Sequence, residues 1–123
     1  MMKIFNQTVD FTDKVNFIDD QGIMLGYDLE QDCCETAEWD IPDLNLNTEA
    51  SKGITEIPYR FDDEFIEKTE DRREEQYIAK FRLLPDDRAG KPVLLVLSNH
   101  HNGYYSHGFK MTHGKYVIQE GSL

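Results

Sequence analysis

The sequence predicts a β-rich α+β domain, built mainly from antiparallel hairpins, with one short helix near residues 33–40 and an acidic loop near residues 60–76. Three observations predict this class. Apolar residues alternate with a period of two in several segments, clusters of turn-forming residues separate those segments, and a continuous apolar run at residues 93–97 is typical of a central strand. The length of 123 residues, 39% of them hydrophobic, fits a single domain over residues 1–123.

A first hairpin is predicted near the N-terminus. Residues 14–18 favour a strand, and residues 19–22 form a turn cluster that ends in glycine. In residues 23–30, apolar side chains then alternate with mostly polar ones. This period of two is that of a half-buried strand, so the two segments are expected to pair.

The middle of the chain is predicted to be less regular. Asp32 could begin the short helix as its N-cap, and Pro42 would end it. Within it, Trp39 is interpreted as an anchor of the core. Residues 43–53 look like an irregular connection, and Pro58 places a short strand at residues 54–59 near a sheet edge.

The acidic loop follows that short strand. Phe61, Phe65 and Ile66 have a helix-like spacing, but no apolar residue occurs from Lys68 to Gln76. We therefore expect a mobile segment here, with a turn of helix at most.

Four strands are predicted in the C-terminal part, joined as an antiparallel meander. The Asn102-Gly103 dipeptide favours a two-residue hairpin turn, because both residues tolerate positive φ. This turn would pair His100 with Tyr105 and Ser98 with His107. In that register His100 and His107 lie on one face as diagonal neighbours, close enough to share a metal ion.

Charge and composition exclude several classes of protein. The formal net charge is −11, and residues 28–75 alone hold 17 acidic and five basic residues. This acidity argues against binding to nucleic acid or to an anionic membrane. No apolar run is long enough to cross a membrane, and the N-terminal residues turn polar too soon for a signal peptide. We therefore expect a cytoplasmic protein whose adjacent Cys33 and Cys34 are free thiols.

Two chemical sites are possible on these residues. A zinc ion or another divalent metal could be held by His100 and His107, with a further ligand from Cys33, Cys34, Asp32 or Glu35. A cysteine paired with a histidine could also act as a nucleophile. No CxxC or HExxH spacing supports the metal site, and free cysteines are commonly buried in the core. The main expectation is therefore that the protein has no cofactor.

The Glu30–Glu35 and Asn102–Ser106 segments together resemble the motifs of a small domain family of phages and bacteria. In that family a strand ends in a QDCCE-type motif, an acidic connection and strands follow, and an NGYYS-type hairpin closes the domain. The resemblance spans roughly residues 12–112. It implies no known activity, substrate or cofactor. It implies an intracellular protein in which the Asp32–Glu35 turn packs near the hairpin. A histidine usual before the first motif is absent, since Asp28 and Leu29 stand there.

The favoured hypothesis is a non-catalytic intracellular module that binds a protein partner, of the accessory kind found in phages and mobile elements. Its expected interaction residues are Asp32, Glu35, Tyr104, Tyr105, Glu64, Glu67 and Glu70. One alternative is the metal-binding or thiol-dependent small enzyme, and a second is a DNA mimic that blocks a nucleic-acid-binding enzyme. Exposed strand edges would also permit a homodimer.

Overall fold

Eleven strands form nearly all the regular structure in the part of the chain that the structure describes. The fold is known from a computed structural model that describes residues 1–9, 12–29, 36–48, 53–71, 73–100 and 107–123. The strands are β1 (Met2–Val9), β2 (Thr12–Ile18), β3 (Ile23–Asp28), β4 (Thr36–Ile41), β5 (Leu46–Asn47), β6 (Thr55–Ile57), β7 (Tyr59–Asp71), β8 (Gln76–Pro85), β9 (Val93–His100), β10 (Gly108–His113) and β11 (Tyr116–Ser122). A 3-10 helix at Pro42–Leu44 is the helical element of the described residues.

The strands form two antiparallel sheets. The six-stranded sheet has the order β11-β10-β3-β2-β1-β6, and the five-stranded sheet has the order β5-β4-β9-β8-β7. Each pair of neighbouring strands in both sheets is antiparallel. The prediction of an antiparallel, β-rich domain is thereby confirmed, whereas the α+β label is supported only by one short 3-10 helix.

The core lies between the inner faces of the two sheets. Phe17 of β2 meets Trp39 of β4 edge to face, with ring centroids 5.2 Å apart. Phe81 of β8 meets Phe109 of β10 in the same way at 5.8 Å. Each pair joins one sheet to the other, and each ring is buried. Such edge-to-face contacts add to the stabilisation from burial alone, so the sheets are packed as a sandwich.

Several predictions from the sequence are confirmed. Residues 14–18 and 23–28 pair as the first hairpin, in β2 and β3. The short strand before Pro58 is β6, at one edge of the six-stranded sheet. Trp39 is 1% exposed and belongs to the core. Strand β1 was not predicted, because of its residues 2–8 only Met2 and Ile4 are buried and most of the others are polar.

The predicted helix at residues 33–40 is wrong in its described part, because Thr36–Ile41 is strand β4. Its side chains alternate strictly between exposed and buried, with Ala37, Trp39 and Ile41 facing the core. This period of two is a strand pattern. The Asp32 cap of the helix lies outside the described residues.

The predicted acidic loop at residues 60–76 is also wrong. Residues 59–71 form β7, which pairs with β8 as a long hairpin. The Asp71 Oδ1 atom accepts hydrogen bonds from the backbone N–H groups of Arg73 and Glu74, an Asx arrangement that reverses the chain. β7 can contain many polar residues because it is an edge strand, and its part farthest from the core covers few apolar side chains.

The four C-terminal strands do not form one meander. β9 belongs to the five-stranded sheet and β10 to the six-stranded sheet. Ser98 is the register partner of Glu38 and Ile78, and not of His107. The reason is that β9 already has β4 and β8 along its two edges, so neither edge remains for β10. Residues 101–106, with the predicted turn, lie outside the described residues.

Candidate functional site

The acidic residues predicted as an interaction surface lie on an edge strand. β7 is the last strand of the five-stranded sheet and has β8 as its one neighbour in the described structure. Its 13 residues include six acidic and two basic side chains. An edge strand presents backbone N–H and C=O groups that a further strand could pair with. β7 is therefore both a hydrogen-bonding edge and an acidic one.

The three predicted acidic residues occupy different positions along β7. Glu64 lies where regular pairing with β8 is interrupted, between Phe61 and Ile66. Glu67 is opposite Lys80, and Glu70 is opposite Tyr77. The Glu70 carboxylate is 3.7 Å from the ammonium of Lys68, and both side chains are well exposed, so this ion pair contributes little to stability.

One end of this edge is occupied by the other sheet. The backbone N–H of Phe61 donates to Asp19 Oδ2 at 2.9 Å, and its carbonyl accepts from Gln21 Nε2 at 3.1 Å. Asp19 and Gln21 belong to the turn between β2 and β3. Past this contact and the pairing interruption lies the segment 66–71. Apart from the Lys68–Glu70 ion pair and the turn hydrogen bonds to Asp71 Oδ1, no hydrogen bond or ion pair other than the pairing with β8 is found for it in the described residues.

The two histidines of the predicted metal site lie apart. The side chains of β9 alternate, so that Asn99 is buried and His100 is exposed on the outer face. His100 Nε2 donates to the carbonyl of Glu74, which fixes the ring on the β7–β8 turn. The register that placed His100 beside His107 is therefore wrong.

His107 is buried at the other sheet, with only 4% of its surface exposed. Its Nδ1 donates to the carbonyl of Asp28 at 2.8 Å, and its backbone exchanges two hydrogen bonds with Leu123. The part of the chain that the structure describes holds no cluster of three metal-binding side chains. Cys33, Cys34 and Glu35 lie outside it, so the metal and thiol hypotheses stay predictions.

The remaining predicted interaction residues cannot be placed. Asp32 and Glu35, like Tyr104 and Tyr105, lie outside the described residues. Their expected packing against one another therefore stays a prediction.

Sequence reasoning missed a groove on the outer face of the six-stranded sheet. Its cavity of about 690 Å³ is lined by residues of β1, β2, β3, β10 and β11, among them Lys14, Gly26, Lys110 and Glu120. The signal for it was a glycine at position 26, in the middle of a strand, where a missing side chain often marks a close approach. The alternation in β3 predicts a buried apolar face, whereas the groove lies on the opposite face of the strand.

Comparison of the chain with protein-family models, with curated proteins and with solved structures found no match. The resemblance to the phage and bacterial family therefore stays a prediction. The described residues also include no helix with the length and hydrophobicity that crossing a membrane requires.

Proposed function

We propose that the protein is a small non-catalytic binding module of the cytoplasm, and that its edge strand β7 pairs with an extended, basic segment of a protein partner. The observation that carries this proposal is the combination of a sheet edge and acidic side chains on one strand of 13 residues. Addition of a strand to a sheet edge is a common mode of peptide recognition.

The side chains of β7 select which strand can pair with it. A second copy of β7 would bring acidic residues opposite acidic residues, and like charges directly across a strand pair are destabilising. A lysine- or arginine-rich strand would instead form opposite-charge pairs, each contributing roughly 0.2–1 kcal/mol. The acidic edge thus disfavours self-pairing and favours a basic partner, which is specificity by both attraction and repulsion.

The contact segment is short and well defined. Because Asp19 and Gln21 already occupy the backbone groups of Phe61, the partner strand is expected to lie along residues 66–71. Six residues match the length of an ordinary strand. Glu67, Glu70 and Asp71 are the acidic residues of this segment.

Binding of a model strand tests the proposal. The probe is a fluorescein-labelled peptide of alternating lysine and valine, and its counterpart replaces each lysine with glutamate. We expect the basic peptide to bind with an affinity that falls as salt is raised, and the acidic one not to bind. The Glu67→Lys/Glu70→Lys variant should weaken binding at least tenfold in fluorescence anisotropy.

The matched control carries the same change of charge elsewhere. Glu38 and Asp40 lie on the outer face of β4, which has β9 on one side and β5 beside Asp40 on the other. The Glu38→Lys/Asp40→Lys variant should keep the affinity within about twofold at equal ionic strength. Equal weakening in both variants would mean that general charge attraction, and not the edge, holds the peptide.

A further inference from the structure

The groove on the outer face of the six-stranded sheet has a floor without side chains. Gly26 of β3 has Asn16 of β2 as its register partner on one side and Lys110 of β10 on the other. Directly paired residues point their side chains to the same face. Asn16 and Lys110 therefore flank the open space above Gly26, and this space is part of the cavity of about 690 Å³.

Asn16 has an acceptor atom directed at that space. The residue is 4% exposed, and its Nδ2 donates to Gln7 Oε1 at 3.2 Å. Its Oδ1 lies 3.5 Å from the position that a Cβ on Gly26 would take. No hydrogen bond to this oxygen forms within the described part of the chain. This oxygen is not enclosed by the protein, so it can accept a hydrogen bond from water or from a ligand in the groove.

Two lysines, Lys14 and Lys110, line the same cavity. Lys14 Nζ is 3.9 Å from the Cβ position of Gly26, so this side chain lies along the edge of the floor. Lys110 is the strand neighbour of both Gly26 and Glu120. Within the described residues neither lysine, nor Glu120, takes part in an ion pair. The groove therefore offers unpaired charges of both signs around one uncharged acceptor.

This combination discriminates between classes of ligand. A simple oxyanion would be attracted by the lysines but repelled by Asn16 Oδ1 and by the carboxylates of Glu120 and Asp28, which also line the cavity. A simple cation would be attracted by Asn16 Oδ1 and by Glu120 but repelled by the lysines. A zwitterion satisfies both sets, because its carboxylate can lie between Lys14 and Lys110 while its ammonium donates to Asn16 Oδ1.

The next outward positions of the same strands are apolar. Ile18 follows Asn16, and Met24 precedes Gly26, each two residues away and so on the same face. Met24 is 38% exposed. We propose that this groove binds a free α-amino acid with an apolar side chain, and that the side chain extends beyond the residues that line the cavity onto Ile18 and Met24. The groove and β7 lie on different sheets, so this site does not depend on the proposed pairing of β7.

An NMR titration of the full chain tests the proposal with L-leucine as the probe. Two compounds each carry half of its charged groups: 4-methylpentanoate lacks the ammonium, and 3-methylbutylamine lacks the carboxylate. We expect saturable shifts of the backbone amides of Asn16, Gly26 and Lys110 with leucine. Each half-ligand should bind at least tenfold more weakly. No saturable shift with leucine, or equal binding of a half-ligand, overturns the proposal.

A matched pair of glycine variants locates the site. Gly26→Ala places a methyl group at ordinary contact distances from Asn16 and Lys14, so the fold should be kept while Oδ1 is covered. Gly53→Ala adds the same group where no atom lies within 4 Å. Leucine affinity should fall at least tenfold in Gly26→Ala and stay unchanged in Gly53→Ala. Equal affinities of Gly26→Ala and the unsubstituted protein place the ligand elsewhere and overturn the assignment.

Discussion

Asp19 and Phe61 join the two sheets through one hydrogen bond, in which the backbone N–H of Phe61 donates to Asp19 Oδ2 at 2.9 Å. The same carboxylate, 5% exposed as a residue, also accepts from the backbone N–H groups of Gln21 and Ile23 and from Gln21 Nε2. Four donors therefore converge on one buried acid. Hydrogen bonds to a charged acceptor are among the stronger ones in proteins, so this residue holds the turn of the first hairpin against β7.

Replacement of Asp19 should therefore destabilise the fold. Asp19→Ala leaves four donors without their acceptor in a place with little access to water, and we expect a loss of about 2–4 kcal/mol in the free energy of unfolding. Urea denaturation followed by circular dichroism measures it. Asp43→Ala, at an exposed position of the 3-10 helix, is the control and should change stability by less than about 0.5 kcal/mol. Similar losses in both variants would contradict the role of Asp19.

Tyr27 is expected to make stability depend on alkaline pH. Its hydroxyl donates to the carbonyl of Ser98 at 2.8 Å, and burial, aided by the charges of Asp28 and Glu38, raises its pKa well above the usual value. In the unfolded chain a tyrosine ionises near pH ~10. The contribution of Tyr27 is therefore complete below about pH 10 and is lost as the pH rises beyond it, because only the unfolded chain releases the proton.

The Tyr27→Phe variant separates the effect of the hydrogen bond from the effect of tyrosine ionisation on stability. At neutral pH it loses one hydrogen bond and should be less stable by about 1–2 kcal/mol, since the carbonyl of Ser98 loses its donor. Between about pH 10 and 12 its stability should fall less steeply than that of the unsubstituted protein. Urea unfolding across this pH range measures both. Tyr116→Phe, at a residue 81% exposed, should leave the slope unchanged.

Substitutions of Trp39 can separate the stabilisation from aromatic packing and the cost of a buried, unsatisfied N–H group. Its ring is enclosed between the sheets, and its Nε1 is buried with no hydrogen-bond partner in the described residues. Trp39→Ala should cost about 3–5 kcal/mol through the cavity it leaves. Trp39→Phe should cost clearly less, because it keeps an aromatic ring beside Phe17 and removes the unsatisfied N–H. Equal losses in thermal unfolding would indicate that the whole indole volume, and not the ring contact, determines stability at this site.

The sequence predicted strands best where the burial of one strand face determined the pattern of apolar residues. In the hairpin of β2 and β3, the inward residues Val15, Phe17 and Leu25 are apolar because that face covers the core. In β4 an alternation of apolar and polar residues was present at residues 36–41, but a possible N-cap at Asp32 and the stop at Pro42 suggested a helix. Local capping signals are weak beside burial, and Trp39 packing on Phe17 decides the conformation.

The pairing of strands that are distant in the sequence could not be predicted from local residue patterns. Asn102-Gly103 predicts that β9 and β10 are neighbours, but the choice of strand partners depends on which edges are already occupied. β8 directly precedes β9 in the chain, but β4, which takes the other edge of β9, comes far earlier in the sequence. The groove over Gly26 was missed for the same reason, since its residues come from five strands.

The acidic side chains of β7 are expected to keep the isolated protein from pairing with itself. Exposed edge strands aggregate unless charge or shape prevents it. The Glu67→Thr/Glu70→Thr variant replaces two acids of the open segment with residues that favour strands, and it removes the repulsion between two copies of β7. We expect this variant to form dimers or larger species at concentrations where the unsubstituted protein is monomeric in sedimentation velocity.

The control for that experiment again uses β4. Glu38→Thr/Asp40→Thr lowers the negative charge of the protein by the same amount, but on a strand that pairs with β9 over residues 36–40 and has β5 and Thr48 against its other edge. This variant should stay monomeric, because lower charge alone supplies no new hydrogen-bonding edge. Association of both variants to the same extent would assign the effect to net charge. Association of the β7 variant alone would identify residues 66–71 as the edge that the acids protect, which is the edge proposed to receive a basic strand.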